Sequence, residues 1–140
     1  MADLNYYDTL IAVADDCPVD RSVVPTPRGG KPTVATLQYE MLAGNPHVLT
    51  QEDVLFESWL ARQDLDHDRA DRRRLREEFF SKPQACMRSS PLPKQYGWGL
   101  LFDGEGRVAL LPMESPEYQR LVAATDTGVK VLKAMRSKRA

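Results

Sequence analysis

Cysteine, histidine, net charge and long apolar runs are all scarce in this chain. Its 140 residues hold two cysteines, Cys17 and Cys86, and two histidines, His47 and His67. No Cys-x-x-Cys pair and no His-Glu-x-x-His pair is present, which excludes the common zinc and dithiol motifs. No glycine-rich phosphate loop of the nucleotide-binding type occurs either, so no cofactor is expected. The formal net charge is −1, so no global field draws in nucleic acid or anionic lipid, and any steering must come from local patches. No apolar run approaches the roughly 20 residues of a membrane span. The opening "MADLNYYDTL" has neither a basic leader region nor a hydrophobic stretch. These absences lead to the expectation of a cytosolic protein with reduced thiols and no membrane partner.

What is present is the pattern of one folded domain over residues 1–140, ending in a basic tail from about residue 135. The run Thr9 to Ala14 reads as a strand, and the proline- and glycine-rich stretch from Pro25 to Pro32 as a loop. Thr33 caps a first helix with Val34, Leu37 and Met41 on one stripe, and Gly44 stands where a left-handed terminal residue is wanted. Thr50 and Asp53 form a carboxylate variant of the capping box, and Leu49 staples onto Val54. Leu55, Phe56, Trp59 and Leu60 make a wide apolar face on that second helix, with Trp59 expected mostly buried. "DLDHDRADRRRLREEFF" reads as a third helix anchored by Leu75, Phe79 and Phe80, with Ala70 below them and Arg73 pairing with Glu77 along the surface. Two apolar runs around Asp103 to Gly106 signal a hairpin with a loop of about two to four residues. Its core set is Leu100, Phe102, Val108 and Leu110. Ser115 and Pro116 open a last helix with Tyr118, Leu121 and Val122 on its buried side, and "TGVKVLKAM" closes as a strand. The order gives an α+β fold, a small antiparallel sheet with three to four helices packed mainly on one face.

Candidate sites are few. Asp64, Asp66 and Asp68 alternate like the start of a calcium loop, but Arg69 stands where that loop needs glycine, so a solvated helix start and no metal are expected. The stretch "QACMRSSPLPKQYGWG", residues 84–99, is richer. Ser90 and Pro91 open a single helical turn and Gly97 closes it. Arg88, Ser89 and Ser90 offer donors to an anion, while Tyr96 and Trp98 offer apolar walls. Cys86 lies two residues before Arg88, whose charge favours the thiolate. Leu92 occupies the position where a cysteine phosphatase loop carries arginine, which excludes that mechanism.

Two readings stand side by side. One is a non-catalytic binding or regulatory module with a small-anion or ligand site at residues 86–98, formed by Arg88, Ser89, Ser90, Tyr96 and Trp98. The other is a small thiol-dependent enzyme using Cys86. The basic residues Lys130, Lys133, Arg136, Lys138 and Arg139 suit an acidic protein or phosphate partner, or dock on Asp15 and Asp16; a homo-oligomer is open.

The segments "NYYDTLIAVADDCP", "DVLFESWLARQD", "FFSKPQACMRSSPLPKQYGWG" and "KAMRSKR" resemble a family of small bacterial proteins, domain-of-unknown-function family 6157, from Asn5 to Arg139. The resemblance implies a single-domain bacterial protein and assigns no catalytic residue. Relatives carry a histidine soon after the Gly-Trp-Gly segment, where this chain has Leu100 and Leu101, so an imidazole mechanism at that place is disfavoured.

Overall fold

The computed structural model describes residues 5–63, 69–124 and 127–136. Four strands form one mixed sheet in the order β3-β2-β1-β4. They are β1 (Thr9–Ala12), β2 (Trp98–Phe102), β3 (Val108–Pro112) and β4 (Lys130–Lys133). The continuous apolar character of β1 has a simple cause. It runs in the middle of the sheet with a helical layer on each face, so all four of its residues are buried. Ile11 points to one core with Leu42, Val54, Leu92, Leu100, Phe102 and Val108. Leu10 points to the other with Leu111, Tyr118 and Leu121.

The α+β class holds, and β1, β2 and β3 pair antiparallel as expected. The fourth strand departs from the purely antiparallel sheet, because β4 adds parallel to β1, with Thr9 opposite Lys130 and Ala12 opposite Lys133. Lys130 and Lys133 stand exposed at the two ends of β4, with Val131 and Leu132 half-buried between them, as suits an edge strand. This pattern carries no information on direction, which is set by where the chain emerges from the last helix. The ladder continues past Phe102 and Val108, since the Asp103 N–H donates to the Arg107 carbonyl at 2.9 Å, and the loop is Gly104 to Gly106, within the expected length. The Asp103 carboxylate braces this loop by accepting the N–H groups of Glu105 and Arg107, each at 2.9 Å. Burial opposes ionisation of Asp103, but these donors and the nearby His47 and Arg107 charges hold its carboxyl below the usual range.

Five helices surround the sheet. They are α1 (Val34–Ala43), α2 (Gln51–Ala61), α3 (Arg69–Phe80), α4 (Pro91–Gln95) and α5 (Pro116–Ala123). Both capping boxes form, Thr33 with Thr36 and Thr50 with Asp53. The buried face of α1 is rotated from the expected stripe. Val34, Leu37 and Met41 are half-buried, whereas Ala35, Gln38 and Leu42 are buried. A polar Gln38 is tolerated there because the Ser90 hydroxyl donates to its Oε1 at 2.6 Å. Gly44 is right-handed (φ −88°), and the left-handed turn is made instead by His47 (φ 55°).

Helices α2 and α3 share a separate aromatic core of Phe56, Phe79 and Phe80. Trp59 packs against it and is mostly covered, as expected, while the adjoining clefts leave part of its ring open. Two arginines of α3 pair across to α2, Arg72 with Glu57 and Arg76 with Asp53 at 3.1 Å, while Arg74 lies 3.6 Å from Asp71 along its own helix. The expected Arg73–Glu77 pair is not among the ion pairs of the described residues. Ala70 and the acidic cluster Asp64, Asp66 and Asp68 lie outside the described side chains. On α5, Tyr118 and Leu121 are buried, but Val122 is turned one helical step away and is 47% exposed. The start of the basic tail docks on Asp15, through Lys133 at 2.7 Å and Arg136 at 3.6 Å. Lys138 and Arg139 lie outside the described residues.

Candidate functional site

Residues 84–99 are tied to the body along most of their length. The Gln84 amide donates to the Phe79 carbonyl at 2.7 Å. Met87 starts a single 3-10 turn (Met87–Ser89), and its N–H donates to the buried Oε1 of Gln51 at 2.7 Å. The Ser90 hydroxyl accepts the Leu92 N–H at 3.3 Å, so it caps the short helix α4, with Pro91 in the first position. Pro93 and Tyr96 offer their carbonyls to Ala14 and Val23, each at 2.9 Å. Gly97 ends the turn at φ +75°, where a Cβ would stand 2.7 Å from the Arg21 carbonyl oxygen.

The five expected ligand residues do not all meet. Arg88 turns toward β4. Its Nε donates to the Lys133 carbonyl at 2.8 Å, and its own carbonyl accepts from Met135 at 2.9 Å. Ser89 Oγ lies 3.4 Å from Met135 Sδ. Tyr96 lines a separate cavity of about 200 Å³ with Arg28, Thr33 and Gln95. Trp98 packs on Tyr39 with ring centroids 5.4 Å apart, and its Nε1 donates to the Val23 carbonyl. Ser89 and Ser90 do come together, and with Cys86 they form one wall of a cleft of about 230 Å³.

The opposite wall of that cleft is α1 and α2. Val34 and Gln38 come from the first helix, and Leu55, Ser58 and Trp59 from the second. Phe79 and Gln84 close one end, where a further cavity of about 420 Å³ shares Trp59, Phe79 and Gln84 as its boundary. Among the described residues the lining holds one cation, Arg62, and no carboxylate. Arg62 is exposed at the C-terminal cap of α2 and has no ion-pair partner among the described residues, because Asp53 and Glu57 of the same helix are taken by Arg76 and Arg72. Sequence reasoning missed Arg62. Its only signal is a basic residue directly after the apolar face of α2, a common surface arrangement.

Cys86 sits beside the N-terminal segment. The Tyr6 hydroxyl donates to its Sγ at 3.2 Å, while the Tyr6 ring lies 5.4 Å from that of Phe102. Burial, reinforced by the thiol contact and opposed by the Arg88 charge, pushes the Tyr6 hydroxyl up to about 12. It is therefore a fixed donor to sulfur across neutral pH. Cys17 lies elsewhere, packed on the α5 side of the sheet with Leu10 and Tyr118.

A mixed four-stranded sheet with a cleft cut between its helical layer and one connecting loop defines a small α+β protein with a side pocket. No described helix is long and apolar enough to cross a membrane. The chain belongs to the family of unknown function DUF6157, whose family model matches residues 1–140. No curated protein and no solved structure matches it.

Proposed function

We propose that this protein is a single-domain, non-catalytic binding module whose small ligand occupies the cleft between α1, α2 and residues 84–91. The observation that carries this reading is the lining itself. Three residues of the candidate loop, Cys86, Ser89 and Ser90, share a concave surface with the cation Arg62, which has no ion-pair partner among the described residues, and with apolar side chains from two helices. Ligand sites commonly combine an apolar wall with a few convergent polar groups in this way. The anion anchor in this reading is Arg62, since the Nε of Arg88 is committed to the β4 backbone. A cytosolic setting fits the two thiols, which lie free on opposite faces of the sheet.

The test is a thermal-shift screen of small acids, amides and neutral fragments on the parent protein and on Ala85→Trp. Ala85 is exposed at the cleft rim, so the indole fills the cleft without removing core contacts. Fragments that stabilise the parent and not the variant support the reading. Fragments that stabilise both equally bind elsewhere and overturn it.

One observation favours a second reading. The Cys86 thiol lines the cleft wall, and its sulfur is held in place by a hydrogen bond from the Tyr6 hydroxyl, which sets a nucleophilic atom beside the space a ligand would fill. Iodoacetamide labelling followed against pH on Cys17→Ser and Cys86→Ser variants separates the two. A Cys86 that labels no faster than an ordinary exposed thiol removes the enzymatic alternative.

A further inference from the structure

The cleft reading says that a small ligand binds; the shape and charge of the lining narrow its chemistry. Resting on that reading, we infer that the cleft takes an aryl carboxylate, with its ring against Trp59 and its carboxylate on Arg62. Trp59 is the largest aromatic of the α2–α3 cluster, and part of its ring stays uncovered. Its inner side is held by Phe79, with centroids 5.1 Å apart and planes 40° from one another, and by Phe56 at 6.0 Å. The ring is thus fixed in place, and its uncovered part forms a boundary shared by both cavities. A rigid, partly exposed indole in a concave wall is a platform for an aromatic guest, because offset stacking adds to the apolar area buried.

Charge decides between a neutral and an anionic guest. Three residues on from Trp59 in the same helix stands Arg62, and positions three apart on a helix face the same way. The guanidinium has no carboxylate partner among the described residues and none in the cleft lining. Gln38, Ser58, Gln84 and Ser89 are neutral and already bonded within the protein, to Ser90, the Leu55 and Phe79 carbonyls and Met135, so they add no charge that competes with Arg62. The floor next to the ring site is apolar, from Val34, Leu55 and Pro91. A cationic ligand in this cleft meets Arg62 with no acid among its described lining residues, and a bare anion such as phosphate leaves the Trp59 surface uncovered.

The probe is phenylpropionate, compared with phenylpropionamide, which keeps the ring and chain and removes the charge, and with butyrate, which keeps the charge and removes the ring. Binding is read by the change in Trp59 fluorescence in a Trp98→Phe background, and independently by calorimetry on the unaltered chain. The expected result is saturable binding of phenylpropionate at millimolar concentration, about tenfold tighter than either comparison compound. Arg62→Gln brings the acid and the amide to equal affinity, and Ala85→Trp abolishes all binding. Equal affinity of acid and amide for the parent, with both lost in Ala85→Trp, overturns the inference and leaves the cleft reading intact. Binding that survives Ala85→Trp overturns both. No response to any of the three compounds overturns the inference, and the fragment screen then decides the cleft reading separately.

Discussion

Replacing Gln51 by leucine tests what holds the cleft wall in position. Gln51 opens α2 and is fully buried, and its Oε1 accepts the N–H of Met87, which is itself fully buried, at 2.7 Å. This bond fastens the loop wall of the cleft to the helix that forms the other wall. Leucine is close to glutamine in volume, so the cavity contribution is small. The dominant effect is a buried N–H left without an acceptor and without water, which costs about 1–3 kcal/mol. Gln51 makes further interactions whose loss acts in the same direction. A loss of about 2 kcal/mol lowers the melting temperature by roughly 6 °C for a chain of this size. Urea unfolding followed by circular dichroism, with calorimetry as a second probe, measures both quantities. A Gln51→Leu protein within about 0.5 kcal/mol of the parent would show that Met87 finds another acceptor and that the wall is anchored elsewhere.

Gly97→Ala is expected to cost about 2 kcal/mol or more in the same urea assay, because the position is left-handed and the new methyl meets the Arg21 carbonyl oxygen at 2.7 Å; a neutral substitution refutes the close approach. Trp59→Ala is expected to cost about 2 kcal/mol, less than the 3–5 kcal/mol typical of a buried tryptophan, since part of the ring is uncovered; a loss above about 4 kcal/mol refutes the partly uncovered platform. Tyr6 governs alkaline stability. Its hydroxyl ionises at about 12 in the folded chain against 10.0 ordinarily, so the folded state binds more protons between these values and stability falls as pH rises through that window, with no contribution below it. Tyr6→Phe removes that part of the slope, and identical pH slopes for parent and variant contradict the Tyr6–Cys86 contact.

Local chemistry was readable where a few adjacent residues decide the outcome. Thr33, Thr50, Ser90 and Ser115 cap their helices, Pro91 and Pro116 take first positions, and Gly97 ends a turn at positive φ. The hairpin set Leu100, Phe102 and Val108 packs with Leu42 of α1 and Val54 of α2, as its alternation implies. Features that depend on distant partners were not readable. Gln38 enters the core only because Ser90 meets it across 52 positions, which rotates the buried face of α1. Arg88 carries every local mark of a ligand residue, yet its Nε reaches a β4 carbonyl 45 positions away. Cys86, Ser89 and Ser90 of the candidate loop line one wall of a cleft, and the other wall comes from α1 and α2, whose approach no local pattern encodes.

Amide chemical shifts recorded during a titration with phenylpropionate test the central claim most directly, since the protein carries two indole N–H groups in distinct places. The account predicts that the Trp59 indole and the backbone amides of Cys86 and Ser89 move together and saturably, while the Trp98 indole, bonded to the Val23 carbonyl, stays in place. Shifts centred instead on Trp98, Tyr96 and Arg28, with Trp59 and Cys86 unmoved, would contradict the assignment of the ligand to the cleft between α1, α2 and residues 84–91.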